Sequence, residues 1–598
     1  MTLSGETVVI VGGGAGGASC ATRLRRLRED MNIVVLEKGE YPSIASCGLP
    51  YHISDTIRDR DDLIVTRAQR FRDRFNIDIR LKSECISVDA GRKIVLVREG
   101  PDGRVYEQSY DYLVLAPGAK PKEMPVPGLS SEEIREQTFV LRTIPDLDRI
   151  KEFISRMKPR RALVVGGSFV GLEVVENLVK AGLEVTLVEI MEQVLPTLDF
   201  EMAAFLNSEL RANGVKLMLA TRLVKAEVHT PPAADLPAGT KEGEDKRNLK
   251  EIVVELAGPK ETLKRETDLI VFATGIKPET EFRKGRGIRT TEQGYIGVDE
   301  RMQTSVKGIY ALGDCALTKH YILNRPAGIP LAWPANWQGR IVAQNIAGRP
   351  SEHDGFLGTC IIKVFELTAA ATGASERMLC RYNEEKQKGG CPHETIDYTV
   401  SYTHHPHHAT YYPGYSNLST KLLFESRTGK ILGAQIVGKK GVDKRIDVLV
   451  TAIYGGLTVE ELGDLELAYA PPYSSARDPV NQAGYVAANI MRKEMPILHW
   501  YELDEFAKSP SSYIIDVRTE REYAQGHHPA AVNIPLDQFR AKINQLPPDK
   551  NILLICRSGQ RSYNAQRILL NRGFRSVRNL SGGWLTYTTA MGEKMRNS

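Results

Sequence analysis

The 598-residue chain is poor in cysteine: it has eight, and no two fall in a C-x-x-C pair. That spacing excludes a disulfide framework and a thiolate zinc site, and it fits a reducing compartment. No apolar run approaches the ~18 residues needed to cross a bilayer. The chain opens directly into Thr7-Val8-Val9-Ile10-Val11, with no charged-then-apolar leader. A cytoplasmic location without membrane insertion is therefore expected. Net charge is only +5, which gives no ground for a nucleic-acid role. Neither a short-period repeat nor a low-complexity tract occurs. Hydrophobic residues make up 42% of the chain, ample for several cores, and the length suits roughly three to four domains.

What is present is a nucleotide-binding pattern, twice. The first strand is followed by Gly12-Gly13-Gly14-Ala15-Gly16-Gly17, a helix pattern, and Ile33-Val34-Val35-Leu36 ending in Glu37-Lys38. In G-x-G-x-x-G, filled here by Gly12, Gly14 and Gly17, glycines let the backbone approach a pyrophosphate at a helix N-terminus. The acid at the second strand end accepts from a ribose 2′-OH. The unit recurs at Ala162–Val165, then Gly166, Gly167, Ser168 and Gly171, then Val185–Val188 ending in Glu189. Ser168 stands where the second glycine is expected, and a side chain there is expected to loosen pyrophosphate binding. Glu189 suits a 2′-OH and repels a 2′-phosphate, and no arginine follows it closely, so NADH is expected ahead of NADPH.

Two dinucleotide sites imply an internal relay between a bound flavin and a visiting nicotinamide. Two strands ending in small residues, at Ala116-Pro117-Gly118 and Ala273-Thr274-Gly275, read as passing close to a cofactor. Asp314 follows a tight turn and can accept from a flavin ribityl hydroxyl, or serve as a helix cap. Residues 231–248 and 384–390 are polar and read as surface excursions. Residues 345–490 alternate strand and helix patterns without a glycine fingerprint. From about residue 501 the strand–helix pattern restarts.

Two thiols lie in reactive contexts. Cys47, in Ser46-Cys47-Gly48-Leu49-Pro50, is expected at a helix start, where the dipole lowers a thiol pKa. It has no neighbouring cysteine, so it pairs with a small-molecule sulfur or is itself oxidised. Cys556-Arg557-Ser558-Gly559-Gln560-Arg561 is a C-x4-R loop, one residue shorter than the loop of cysteine phosphatases, and suits a persulfide ringed by backbone N–H groups. Cys20, Cys85, Cys315, Cys360, Cys380 and Cys391 read as structural. The basic run Arg23-Leu24-Arg25-Arg26-Leu27-Arg28 reads as a solvated helix face or as an anchor for a phosphorylated substrate. His404, His405, His407 and His408 invite a metal reading, but Pro406 breaks their register and no cysteine accompanies them, so no metal site is assigned.

On these motifs the first ~490 residues resemble the flavin-dependent pyridine nucleotide-disulfide oxidoreductases, in particular the single-cysteine coenzyme A-disulfide reductases. Residues 501–598 resemble a rhodanese domain, with Asp516-Val517-Arg518 and Glu522-Tyr523 as its opening signature. The resemblance implies an α/β chain: a FAD-binding domain at 1–150 and 268–344, a NAD-binding domain at 151–267, an α+β dimerisation domain at 345–490, and the rhodanese domain. It implies FAD, NADH and coenzyme A as cofactors or substrates, small-molecule sulfur substrates, and a homodimer. By resemblance, Arg23, Arg26, Ser43 and Ser46 bind coenzyme A, with Ser46 where relatives often show Asn. Tyr411 and Tyr469 reach the active site from the partner subunit, each with a competitor nearby, Tyr412 and Tyr473. Arg557 and Arg561 add positive charge at Cys556. The expected activity is NADH-dependent reduction of coenzyme A disulfide, coenzyme A persulfide or polysulfide. Ala15, where peroxidase-type relatives carry histidine, weakens a peroxide reading; the alternatives are an NADH oxidase cycling Cys47 through sulfenate, and a protein that is chiefly a sulfurtransferase or persulfide carrier.

Overall fold

The computed structural model describes residues 5–100, 103–229, 249–283 and 287–597, so the excursion read at 231–248 lies outside the described residues. The chain forms two compact units, Met1–Ile190 with Gly214–Gly358, and Met191–Asn213 with Thr359–Ser598.

The first unit is built on two five-stranded parallel sheets of like plan. In one, Thr7–Val11 is central, flanked by Asn32–Leu36 and Tyr112–Leu115, with Asp78–Arg80 and Ile309–Ala311 at the edges. In the other, Arg161–Val165 is central between Glu184–Val188 and Leu269–Phe272, with Lys216–Met218 and Thr138–Val140 outside. The central strands are continuous apolar runs because helices cover both faces of a parallel sheet; Val8, Val9 and Ile10 are fully buried. A three-stranded antiparallel meander is inserted in the chain before the last strands of each sheet, Ser83–Asp89 with Ile94–Glu99 and Val105–Ser109 in the first, and Arg222–His229 with Glu251–Ala257 and Thr262–Thr267 in the second. The second sheet draws Thr138–Val140 and Leu269–Phe272 from outside the 151–267 interval read from the sequence. Parallel pairing recruits strands distant in the chain, which local patterning does not disclose.

The second unit holds a five-stranded antiparallel sheet, in the order Cys360–Val364, Leu367–Gly373, Ile431–Gly438, Asn417–Glu425, Tyr398–Pro406. The helix Phe200–Ala212 belongs to this unit. Residues 384–388, read as part of an excursion, are the end of the helix Glu376–Lys388. Ser375 caps it through the Met378 N–H, and Arg381–Glu385 and Lys388–Glu384 pair one turn apart. Its exposed face is simply polar. The C-terminal part is a parallel sheet ordered Ile497–Leu498, Val577–Leu580, Asn551–Ile555, Ser512–Asp516, Ala531–Asn533. Its edge strand precedes the expected boundary at 501.

No helix among the described residues is long and apolar enough to cross a membrane. Of the six cysteines read as structural, Cys20, Cys85, Cys315 and Cys360 are buried, but Cys380 is exposed and Cys391 half-buried. Burial pushes the Cys20, Cys85 and Cys315 thiols up to about 12, which keeps them protonated and inert.

Candidate active sites

The two glycine loops have the geometry a dinucleotide needs. Gly12 has φ +97°, and a Cβ there would lie 2.1 Å from the Ala116 carbonyl oxygen. A Cβ on Gly17 would lie 1.9 Å from the Gly12 oxygen, whereas one on Gly14 would meet nothing within 4 Å. The first and last glycines are thus fixed by chain packing, and Gly14 leaves open space at the N-terminus of the helix Ala15–Leu27, as a pyrophosphate requires. Glu37 accepts from the Gly13 N–H at 2.8 Å and the Gly39 N–H at 2.7 Å, so it braces the loop it follows. Burial pushes its carboxyl up, against those two bonds. Lys38 pairs with Glu279. The second loop repeats the design: Gly166 has φ +110°, a Cβ on Gly171 would lie 2.0 Å from the Gly166 oxygen, and Glu189 accepts from the Gly167 N–H at 2.6 Å. Ser168 departs from the expected obstruction. Its hydroxyl donates to the Ala273 oxygen at 2.8 Å and caps the following helix, so the side chain is folded back onto the backbone. Gly118 and Gly275 take left-handed φ of +76° and +99° where their strands end.

Cys47 sits in the 3-10 turn Ser46–Gly48, which runs directly into the helix Leu49–Ile53. It is exposed, but partial burial of the sulfur and the Glu173 carboxylate push its thiol up, opposed by a hydrogen bond with Ser46 and by Arg142. The helix expected to lower the thiol through its dipole is short, with only five residues, too few to sum an appreciable dipole. Glu173 lies on the helix Phe169–Lys180, and Tyr51 Oη reaches its Oε1 at 3.4 Å. Burial pushes the Glu173 carboxyl up to about 7. Asp314, in the turn Gly313–Cys315, is not a helix cap; it accepts from Arg142 Nη2 at 3.1 Å. Glu173 and Arg142 were not singled out in the sequence, and only the place of Glu173, one turn into the second glycine-loop helix, could have signalled it.

The basic run divides by helical geometry. Arg25 is buried and donates to the carbonyls of Phe75, Asn76 and Glu29. Arg23 and Arg26 lie on another face, joined by Arg340 from the middle of the helix Ala332–Ile346 and Arg349 from the loop after it. Among the described residues none of these four has an ion-pair partner, and Arg23 Nε is buried without one. Desolvation and then the repulsion of Arg340, Arg26 and Arg349 lower the Arg23 pKa. Guanidiniums close enough to repel Arg23, with no carboxylate paired to them among the described residues, have the chemistry that suits a multiply charged anion. Ser43 lies on the short strand paired with Thr66.

In the second unit Tyr411 and Tyr469 are brought together, their phenol oxygens 2.7 Å apart and both side chains exposed. Tyr412 instead packs edge-on against His408, and Tyr473 points to solvent with 72% exposure. The two loops are pinned by Arg445, 1% exposed, which donates to the His407 oxygen at 2.6 Å and to Asp478 Oδ2 at 2.9 Å. Ser474 donates to the same carboxylate, and the Ala409 N–H donates to the Ser474 oxygen at 3.0 Å.

Cys556 is buried at the end of Asn551–Ile555. Its Sγ lies 3.1 Å from the Gly559 N–H nitrogen and 3.2 Å from Ser562 Oγ. Of the expected ring of donors, one N–H and one hydroxyl reach the Sγ itself among the described residues. Asn579 braces both: its Oδ1 lies 2.7 Å from Ser562 Oγ, and its Nδ2 donates to the Gly559 oxygen at 2.9 Å. The Trp584 and Leu585 N–H groups, opening the last helix, take the Cys556 and Arg557 carbonyls at 2.8 and 2.9 Å. Arg557 is exposed, whereas Arg561 is held by both oxygens of Glu522 at 2.7 Å each.

The histidines do not form a ligand set. His404 bonds Ser419 Oγ and Thr586 Oγ1, His407 bonds Ser416, and His408 bonds the Ala409 oxygen. The carboxylates of Asp199, Glu201 and Glu376 do converge. The Lys421 ammonium lies among them at 2.8, 2.5 and 2.6 Å, supplying the positive charge a cation would bring.

The family model described as "Pyridine nucleotide-disulphide oxidoreductase" matches residues 6–339, its dimerisation-domain model 360–480, and the "Rhodanese-like domain" model 500–590. A coenzyme A disulfide reductase of Staphylococcus haemolyticus is 33% identical over 484 residues, covering 81% of this chain and 99% of the relative. The solved structure of reduced Bacillus anthracis CoADR-RHD is 41% identical with a TM-score of 0.89, covering 99% of both chains. That of a NAD-dependent persulfide reductase from A. fulgidus is 34% identical with a TM-score of 0.83, covering 97% of this chain and 100% of the other.

Proposed function

From a chain that belongs to the pyridine nucleotide-disulphide oxidoreductase family, we propose a homodimeric FAD enzyme that uses NADH to reduce coenzyme A disulfide, coenzyme A persulfide or polysulfide at Cys47, with Cys556 handling sulfane sulfur. One observation carries this reading. Cys47 is the exposed thiol of the first unit, and the other cysteines there, Cys20, Cys85 and Cys315, are buried. Lacking a thiol of its own to pair with, it forms its disulfide with the substrate.

FAD and NADH, held at the two glycine loops, supply two electrons when bound. The Cys47 thiolate attacks one sulfur of R–S–S–R; the Cys47–S–S–R bond forms and RS⁻ leaves. The two electrons then cleave that mixed disulfide, restoring the thiolate and releasing a second RS⁻. The Ser46 hydroxyl orients the sulfur. Arg23 and Arg26, with Arg340 and Arg349, hold the phosphates of coenzyme A. The Tyr411–Tyr469 pair of the partner subunit protonates the leaving thiolate.

The test is steady-state NADH oxidation with each acceptor, with and without oxygen. Anaerobic, acceptor-dependent turnover that disappears in Cys47→Ser is expected. Turnover that requires only oxygen would replace this reading with an oxidase.

A further inference from the structure

Three arginines lie near Cys556, and the structure accounts for the charge of two. Arg518 is closed onto Asp516 at 2.6 Å, both buried, and lies over the Trp584 ring. Arg561 is closed onto Glu522 through both nitrogens. Glu522 is itself fixed, its Oε2 accepting from the Thr519 N–H at 3.1 Å and hydroxyl at 3.0 Å in a capping box. The Arg561 bond holds its carboxyl down at about 2, so it remains ionised at any working pH. Arg557 is exposed and has no ion-pair partner among the described residues. Among these five groups the cations outnumber the carboxylates by one.

We propose that Glu522 sets the donor specificity of the Cys556 site: by neutralising Arg561 it leaves Arg557 as the one uncompensated cation, so thiol persulfides are accepted and thiosulfate is disfavoured. This rests on the reading of Cys556 as a sulfane acceptor. The Cys556 thiolate attacks the outer sulfur of R–S–SH; the Sγ–S bond forms as the R–S–S bond breaks, and RS⁻ departs with the persulfide proton as RSH. Cys556 is left as Sγ–S⁻, and no oxidant or reductant is consumed. With thiosulfate the same attack expels sulfite. Two negative charges then approach a thiolate already matched by the one free guanidinium, and both remain at the loop until sulfite leaves. Like charge brought to a site without a counter-charge is a penalty against the wrong ligand.

The experiment follows loading of one sulfur onto the Cys556 peptide by mass spectrometry in the full chain. The donors are the persulfide of 2-mercaptoethanol and thiosulfate. The native protein is expected to load from the persulfide about 100-fold faster than from thiosulfate. Glu522→Gln frees Arg561 and should raise the thiosulfate rate about tenfold with little change for the persulfide. Arg561→Gln, which strands the Glu522 carboxylate, should shift the ratio the opposite way. Opposite shifts from the two halves of one ion pair are not expected of a structural role. Equal loading from both donors in the native protein, or a ratio that either variant leaves in place, overturns the assignment. Loading by neither donor overturns the sulfane-acceptor reading, and the specificity role falls with it.

Discussion

Replacing Arg445 by Met tests how the tyrosine loops are held. The guanidinium loses its bonds to Asp478 at 2.9 and 3.2 Å, to the His407 oxygen at 2.6 Å and to the Gly441 oxygen at 3.0 Å. Asp478 remains buried with the Ser474 hydroxyl, the Val480 N–H at 3.0 Å and Lys444 at 3.4 Å. Removing one partner of a buried pair costs about 3–5 kcal/mol, and Lys444 places the expected loss at the lower end. In a unit of this size about 3 kcal/mol corresponds to roughly 6–12 °C in the unfolding midpoint, read by calorimetry on the intact chain. The Tyr411 and Tyr469 loops lose their common pin, so turnover with sulfur acceptors should fall further than anaerobic flavin reduction by NADH. In Arg445→Met/Asp478→Asn the stranded charge is gone while the cap to Val480 is kept, and most of the stability should return. A single variant that unfolds and turns over like the native protein, or a double variant no better than the single, refutes the role given to this pair.

Glu189 at the second ribose position should give NADH at least a ~10-fold advantage over NADPH, about 1.4 kcal/mol; equal efficiencies with the two cofactors would remove it from that role. Gly583→Ala places a Cβ 2.5 Å from the Cys556 oxygen at φ +63°, and should slow sulfur loading at Cys556 about fivefold or more, the equivalent of ~1–3 kcal/mol of strain, with Cys47 chemistry as the comparison. Burial, then His405, lowers the His404 pKa to about 4. Between that value and about 6.5 the unfolded chain binds the extra proton. Stability is therefore full above about pH 6.5 and falls by up to about 1.4 kcal/mol per unit as pH drops towards 4. His404→Gln should flatten that part of a urea-unfolding series, and an unchanged slope would show that the proton goes elsewhere.

The glycine loops were legible because their constraint is local in type. Gly12 against the Ala116 oxygen, and Gly171 against Gly166, admit no side chain, and the acids brace the loops through adjacent amides. What the chain concealed was long-range. The Thr138–Val140 strand enters a sheet whose centre lies beyond the next helix, Arg445 meets Asp478 from a different helix, and Asn579 reaches the Cys556 loop from the neighbouring strand. The neutralisation of Arg561 was hidden because Glu522 lies 39 residues earlier, too far for any helix or turn spacing to reveal the pair. The end of Glu376–Lys388 was misread because an exposed charged helix face and a charged loop have the same composition.

The two thiols solve opposite problems. Cys556 is buried with its donors braced in place. Cys47 is exposed, its thiol pushed up by burial of the sulfur and then by Glu173. Glu173 is pushed up to about 7 by burial, so it ionises in the range where the enzyme would work. Each rise in pH that favours the Cys47 thiolate also charges Glu173, and that charge opposes the thiolate. Two groups coupled in this way titrate as a pair, and the thiol curve is spread over a wider range than one isolated group would show. Glu173→Gln removes the carboxylate while keeping the side chain's size and its contact with Tyr51. Above about pH 7, where the native carboxylate is mostly ionised, iodoacetamide should alkylate the variant's Cys47 faster, and the pH dependence should steepen towards that of a lone thiol. Below that pH the native Glu173 is already neutral, and the two proteins should converge. If alkylation of the variant is slower, or the curves differ equally at every pH, then Glu173 does not act on Cys47 through its charge.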